Sequence, residues 1–305
     1  MAIPTSRTTE AAIVTIHQEP CNGCGLCVSV CKDFAFRLEN EKAVLADKTL
    51  FGCVGCGHCM AVCPKEAIEV RGRTLVPEHV FPLSAPRSGM SYEHFLDLLQ
   101  SRRSIREFRD MPVERPLIEK ILDAAKTAPM GIPPSDVNVL VLDSREKNNA
   151  FAQDFCAYLK KMRWLVSPWF LAVMRPFWGK ETDKLFRDFV VPFFSCLTDN
   201  MDQGVNVVTY DAPLAMYFYG SPYADPADPL IAATYAMLAA ETLGLGSCMV
   251  GGIHPLIQRG KKAKQFRERH GIKYASQEGL VVIFGYPAVA YHKGIQRSFA
   301  SVTYA

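Results

Sequence analysis

Eight of the eleven cysteines in this 305-residue chain fall into two copies of one spacing: Cys21, Cys24, Cys27 and Cys31, then Cys53, Cys56, Cys59 and Cys63. Both read C-x-x-C-x-x-C-x-x-x-C, and Pro64 follows the second copy. In a run of this form three close thiolates grip one iron-sulfur cubane and the fourth reaches across to a neighbouring one. Cys21, Cys24, Cys27 and Cys63 are therefore expected to hold one 4Fe-4S cluster, and Cys53, Cys56, Cys59 and Cys31 a second. Zinc asks for isolated four-ligand sets, not for two adjacent groups of four at this spacing.

Gly23, Gly25, Gly55 and Gly57 fill the gaps between ligands, where the backbone must curl tightly and aim N–H groups at sulfur. The copies differ at Lys32, which stands where the second has Pro64, a change expected to alter the potential or the packing of one cluster. His58 sits among the ligands, but the thiolate set is complete without it, so it is read as an exposed or hydrogen-bonded side chain. Cys156, Cys196 and Cys248 stand alone in apolar surroundings and are expected to be small buried side chains.

A second chemistry is suggested by Arg102-Arg103-Ser104-Ile105-Arg106. Three guanidiniums and a hydroxyl within five residues suit a phosphate monoester, although a short basic run is also what a solvated face looks like. Further on, Gly246-Ser247-Cys248-Met249-Val250 reads as a strand finishing in Gly251 and Gly252, where backbone can approach a flat ligand closely.

These groups need elements to position them. Phe36–Leu45 reads as a short hairpin around Asn40 and Glu41, and Ala67–Arg73 as a closing strand. From Arg71 to Met90, Pro77, Pro82, Pro86 and Gly89 mark a semi-rigid linker, giving a cluster domain at 1–76, a linker at 77–90 and a second domain at 91–305. Ser91 caps a helix carrying Tyr92, Phe95, Leu96 and Leu99 on one face, and Pro116 opens another that stops at Pro129, feeding the turn Pro129-Met130-Gly131. Strands are expected at Val137–Leu142, Ala212–Tyr219 and Leu280–Phe284, with a helix apolar nearly all round between Asp228 and Leu243. The aromatic-rich excursion between Asn149 and Val208 suits core or dimer-interface packing, or a lid over an apolar pocket. Tyr217 and Tyr219 alternate on a strand as packing residues, and the basic stretch Lys261–His270 reads as a solvated helix face or a docking patch for an acidic electron donor.

Composition bounds the rest. With 49% hydrophobic and 21% charged residues the chain is an ordinary folded one, which excludes disorder and fibrous repeats. A net charge of +3 gives no general pull toward nucleic acid or an anionic membrane. Met1–Pro20 has no apolar run with a small-residue cleavage site, and Trp164–Met174 is broken by Ser167 and Pro168, so neither export nor membrane insertion is expected. Unpaired thiols and clusters then point to a reducing, cytoplasmic setting.

In their order, Arg-Arg-Ser-Ile-Arg, the helix ending at Ala128-Pro129, Gly244-Leu245-Gly246-Ser247-Cys248, Phe284-Gly285-Tyr286-Pro287 and the basic tail resemble the nitroreductase family of FMN flavoproteins, over about Ser91–Ala305. The whole chain resembles members with an N-terminal bacterial-type two-cluster ferredoxin domain. The resemblance implies an α+β fold with a mixed, largely antiparallel sheet and helices on both sides. It also implies a homodimer with FMN at the subunit interface. It places Arg102, Ser104 and Arg106 on the flavin phosphate and ring edge with Arg103 close by, has Lys293 and Arg297 complete the phosphate grip, and lines the ring with Met249, Val250, Gly251 and Gly252. The turn at Pro129, Met130 and Gly131 falls at the flavin too, but Met130-Gly131-Ile132-Pro133-Pro134-Ser135 replaces the family's amide-bearing residues there. No protein side chain is required as a catalytic acid, base or nucleophile. The implied activity passes single electrons from the clusters to FMN and on to an electron-poor organic acceptor such as a nitroaromatic, quinone or activated alkene. Its donor would be low-potential ferredoxin or NAD(P)H. Direct NAD(P)H-dependent reduction with the clusters in a secondary role, and a non-catalytic redox sensor, are the alternatives.

Overall fold

Cys53 follows Cys21 by 53 − 21 = 32 positions, and the same offset relates the other three ligand pairs and the glycines between them. That repeat organises the first of two units in the computed structural model, which describes residues 11–49, 52–83, 91–133 and 135–304. This unit takes in the residues up to 90 together with Met130–Asp136 and Tyr223–Asp225. Its elements are β1 (Ile13–Ile16), α1 (Leu26–Val30), β2 (Phe36–Glu39), β3 (Lys42–Leu45), α2 (His58–Val62) and β4 (Ile68–Arg71). The expected hairpin forms as β2 and β3, with Asn40 (φ 46°) and Glu41 (φ 59°) turning it in the left-handed region. The closing strand β4 is shorter than the sequence suggests, because Gly72 (φ 117°) turns the chain into an isolated bridge with Leu75. Its partner is β1, antiparallel from Ile13 opposite Arg71 to Ile16 opposite Ile68, a run of β-branched residues that the sequence reading left unassigned. Phe36, Ala43, Met60, Ile68 and Val70 make the small core, with Cys27 and Cys59 buried among them. Of the expected linker, Pro77–His79 forms one 3-10 turn, and residues 84–90 lie outside the described residues.

The second unit consists of Ser91–Pro129, Val137–Pro222 and Pro226–Ala305. In chain order it holds α3 (Tyr92–Ser101), α4 (Arg115–Ala125), β5 (Val137–Leu142), α5 (Arg145–Lys160), α6 (Pro168–Leu185), α7 (Val191–Asp202), β6 (Leu214–Gly220), α8 (Ala227–Thr242), β7 (Gly246–Val250), α9 (Lys261–Arg269) and β8 (Gly279–Gly285). Ser91 caps α3 as expected, its hydroxyl accepting the His94 N–H at 3.3 Å. The strands form one antiparallel sheet in the order β5-β6-β8-β7. Among the described residues, the parallel pairing is an isolated bridge from Ser104 to Ser247.

Alternation along the central strands builds a core on each face. Leu214, Met216 and Phe218 of β6, with Val282 and Phe284 of β8, pack under α4 and α8. Ala215, Tyr217 and Tyr219, with Val281 and Ile283, face Phe151 and Phe155 of α5, Leu197 of α7 and Phe266 of α9. Small residues bring α8 close to the sheet, with Ala233, Ala236 and Ala240 fully buried. The aromatic excursion folds almost entirely as helix; α6 is broken at Gly179, whose φ of 79° interrupts the helical backbone.

Two expectations are adjusted here. Cys196 is exposed rather than buried, because α7 turns Phe194, Leu197 and Thr198 inward and leaves Cys196 on the outer side. Cys156 and Cys248 are buried as expected. The shared face of α3 does form, yet Tyr92, Phe95 and Leu99 are exposed within this chain. No helix among the described residues is long and apolar enough to cross a membrane.

Candidate functional site

In the first unit the short helices α1 and α2 each begin after a left-handed glycine, Gly25 (φ 74°) and Gly57 (φ 75°). Gly23 has φ 70°, and a Cβ there would lie 2.0 Å from the Glu41 carbonyl oxygen, so only glycine lets the loop close on the hairpin. These turns set Cys21, Cys24, Cys27 and Cys63 around one hollow, floored by Ala43, Ala67 and Ile68. The Ala43 N–H donates to Cys21 Sγ at 3.5 Å and the Ala67 N–H to Cys63 Sγ at 3.3 Å. Cys31, Cys53, Cys56 and Cys59 act electrostatically on one another as the second set.

Thiol acidity follows the surroundings. N–H groups of Ala43 and Gly23, with help from Lys42, hold Cys21 below the usual thiol range against the effect of burial. Burial pushes Cys27 and Cys53 up, and pushes Cys59 up to about 12. Among the described residues, no three His, Cys, Asp or Glu side chains crowd together as ligands of a single ion do. Thiols set around a hollow, with backbone N–H groups aimed at sulfur, fit an iron-sulfur cubane. His58 is exposed at the start of α2.

In the second unit, α3 ends at Arg102 and the chain then runs beside β7. The Ile105 N–H donates to the Ser247 carbonyl at 3.0 Å, and Ile105 is buried against Gly246, where a Cβ would lie 2.5 Å from Ile105 Cγ1. This contact fixes the register between the arginine run and the strand that ends in glycines. Arg106 thereby joins Met249, Val250, Gly251 and Gly252 around one cavity, closed by Phe193 and Tyr210. The Arg106 guanidinium lies over the Tyr210 ring, 5.6 Å from its centroid. A Cβ on Gly251 would meet open space, whereas one on Gly252 would lie 2.7 Å from Phe193 Cζ. Ser247 Oγ and Arg103 Nε are buried without partners beside this segment. Open space at Gly251 and unused polar atoms nearby fit a flat, phosphate-bearing cofactor.

The remaining residues of the sequence-derived site divide. Arg103 donates to the carbonyls of Gln100 (2.5 Å), Arg102 (2.8 Å) and Lys293 (3.2 Å), so its guanidinium ties the C-terminal tail to the end of α3. Lys293 and Arg297 are exposed in that tail. Arg102 lies near Glu241, whose pKa is raised by burial and held back by Arg102. Pro129 belongs to the second unit, but Met130 and Gly131 fall in the first, where a Cβ on Gly131 would lie 3.0 Å from that of Asp225.

The sequence reading missed two features. Tyr210 lines the cavity from a left-handed position (φ 53°), which no local pattern announces. Tyr217 does more than pack: its hydroxyl lies 2.9 Å from His254 Nδ1, and Gln258 Nε2 donates to the same hydroxyl at 3.2 Å.

With this geometry in place, comparison with known families is informative. The model of the nitroreductase family matches residues 99–286, more than half of the chain. The chain belongs to the nitroreductase family. This nitroreductase also matches the model of the 4Fe-4S dicluster domain at residues 20–68, and it is thus an oxidoreductase with a ferredoxin-type module. Among solved structures, the nitroreductase is similar to one with bound FMN from Bacteroides fragilis NCTC 9343 (TM-score 0.51, 18% identity, covering 69% of this chain and 97% of that one). It is likewise similar to one with bound FMN from Desulfitobacterium hafniense DCB-2 (TM-score 0.50, 22% identity, covering 71% and 100%). At these identities the likeness establishes the shared α+β fold. No curated protein matches this nitroreductase.

Proposed function

We propose that this nitroreductase binds two 4Fe-4S clusters and FMN, passes single electrons from the clusters to the flavin, and reduces an electron-poor organic acceptor: a nitroaromatic, a quinone or an activated alkene. The observation that carries this reading is the presence in one chain of a 4Fe-4S dicluster module and a nitroreductase domain with a cavity at Gly251. The FMN in both similar structures supports the choice of flavin. When bound, FMN takes up electrons singly and releases them as a pair or a hydride, whereas a 4Fe-4S cluster carries one.

Each protein group then has a role. Cys21, Cys24, Cys27 and Cys63 ligate one cluster, and Cys31, Cys53, Cys56 and Cys59 the other. Arg102 and Ser104 meet the flavin phosphate, with Lys293 and Arg297 of the tail completing the grip, and Arg103 stations that tail. Arg106 faces the ring edge, and backbone at Met249–Gly252 lies along the ring. Phe193 and Tyr210 exclude water from its surroundings. We assign the two activities to domains at 1–76 and 91–305, joined by a linker at 77–90.

A homodimer fits the apolar side chains left exposed on α3 and on the tail, including Tyr92, Leu99, Ile295 and Phe299. The electron donor is reduced ferredoxin or NAD(P)H. Steady-state reduction of a nitroaromatic by the full chain and by Cys56→Ala, each driven by reduced ferredoxin, by NAD(P)H or by photoreduction of the flavin, tests the route. The expected result is loss of the ferredoxin-driven rate alone. Equal ferredoxin-driven rates in both proteins would overturn the relay. Absence of turnover with every acceptor and donor would favour a sensor.

A further inference from the structure

Tyr210 and Asp211 lie in succession in the left-handed region, with φ of 53° and 49°, although neither is glycine. The Ala212 N–H donates to the Thr209 carbonyl at 3.1 Å, so the pair forms the centre of a tight turn of the mirror-image kind, which Asn and Gly ordinarily fill. Such a conformation persists only where its surroundings over-determine it.

Those surroundings are a buried amide clamp. Asn206, 7% exposed, accepts the Val208 and Thr209 N–H groups on Oδ1 at 3.1 and 2.9 Å. Its Nδ2 donates to Asn149 Oδ1 and to Thr209 Oγ1, both at 2.8 Å, so its hydrogen-bonding capacity is fully used. On the far side of the turn, Asn148 Nδ2 donates to the Ala212 carbonyl at 2.8 Å. Asn148 and Asn149 are neighbours on α5, so one helix grips the chain both before and after the left-handed pair.

The clamp presents the Tyr210 ring to Arg106. Arg103 is pinned by carbonyls that consume its N–H groups, whereas among the described residues no carboxylate or carbonyl takes up the Arg106 guanidinium. The group against it is the Tyr210 ring, 5.6 Å away at its centroid. An aromatic face steadies a guanidinium and leaves its N–H groups free for a ligand. Both side chains line the cavity at Gly251.

Resting on the FMN reading above, we infer that Tyr210 is a positioning residue for that site: it holds the Arg106 cation at the flavin ring edge, and Asn206 and Asn148 hold Tyr210 in the backbone conformation that lets it do so. Reduction of a bound flavin puts negative charge on its ring, and a cation fixed at the ring edge favours that form. Tyr210 therefore raises the flavin potential through Arg106, without itself exchanging electrons or protons.

The test is the midpoint potential of FMN in the full chain, titrated anaerobically and followed by flavin absorbance after subtraction of the deflavinated protein titrated in parallel. Melting temperature and FMN content are read on the same samples. Tyr210→Leu keeps an apolar wall but removes the ring face, and should lower the preference for reduced over oxidised FMN about tenfold, equivalent to about 30 mV for a two-electron couple. Arg106→Gln should do the same, and the double variant should fall no further than Arg106→Gln alone. Tyr210→Phe, which keeps the ring, should hold the wild-type potential. Asn206→Ala should shift the potential in the same direction as Tyr210→Leu. An unchanged potential in Tyr210→Leu, or a Tyr210→Leu shift that persists in full on the Arg106→Gln background, overturns the inference while bound FMN leaves the flavin reading intact. A wild-type chain that retains no FMN overturns both.

Discussion

Ile105 and Ser247 are joined by a backbone hydrogen bond of 3.0 Å, and through it the arginine run after α3 is registered against the strand that ends in Gly251 and Gly252. A site assembled this way depends on close backbone approach at more than one glycine.

Gly252→Ala should weaken FMN retention. Its new Cβ would lie 2.7 Å from Phe193 Cζ, so the ring that lines the cavity must shift, an overpacking cost of roughly 1–3 kcal/mol at the place proposed for the flavin. Flavin content after gel filtration and a fluorescence titration with FMN would check this. Phe193→Leu in the same chain should recover much of the loss, and failure of that rescue would place the clash elsewhere.

The neighbouring arginines should separate. If Arg102 meets the flavin phosphate as proposed, Arg102→Ala removes a charge-assisted contact of about 1.5–3 kcal/mol, which is roughly a 10- to 150-fold loss of FMN affinity. Ser104→Ala should lose less. Arg103→Met instead releases the Lys293 carbonyl, so faster proteolytic clipping of the tail, with a smaller loss of FMN affinity, is the expected pattern. Equal affinity losses for Arg102→Ala and Arg103→Met, with no change in clipping, would refute the division of labour.

Stability should fall on the acid side partly through His254. Burial holds its pKa below the ordinary value of 6.5, so the folded state binds fewer protons there than the unfolded chain. Its neutral form therefore costs no stability above pH 6.5, and stability is lost as pH falls below that value, by at most about 1.4 kcal/mol per pH unit for one proton. His254→Gln removes the titration, so its melting temperature should decline less between pH 7 and pH 5.5 than that of wild type. Parallel declines would show that His254 is protonated without penalty.

Thiol labelling should distinguish the cysteines outside the cluster module. Cys196 is exposed on α7, whereas Cys156 is buried and pushed up to about 11 by that burial. Brief alkylation of the folded holoprotein at pH 8, read by peptide mass spectrometry, should modify Cys196 and leave Cys156 and Cys248 unmodified.

Much of this protein was legible from local spacing, because spacing along the chain is covalent. The eight cysteines and the glycines between them specify their ligand geometry within a few residues, and the Asn40–Glu41 turn needs only its two flanking strands. Strands β5, β6 and β8 were likewise readable, since alternating apolar side chains serve two cores. Tertiary structure alone decided the rest. Strand β1, although its Ile-Val-Thr-Ile run favours extended chain, acquires its hydrogen-bond partners from β4, more than fifty residues away, so its pairing is not written locally. Arg103 and Arg106 are the same residue type three positions apart, and only the pairing of Ile105 with Ser247 turns one toward the Lys293 carbonyl and the other toward the cavity. The exposure of Cys196 and the presence of Phe193 and Tyr210 in the cavity wall depend on how the excursion helices dock. Residue type supplies the chemistry, but the direction each side chain faces is set by contacts that close over long stretches of chain.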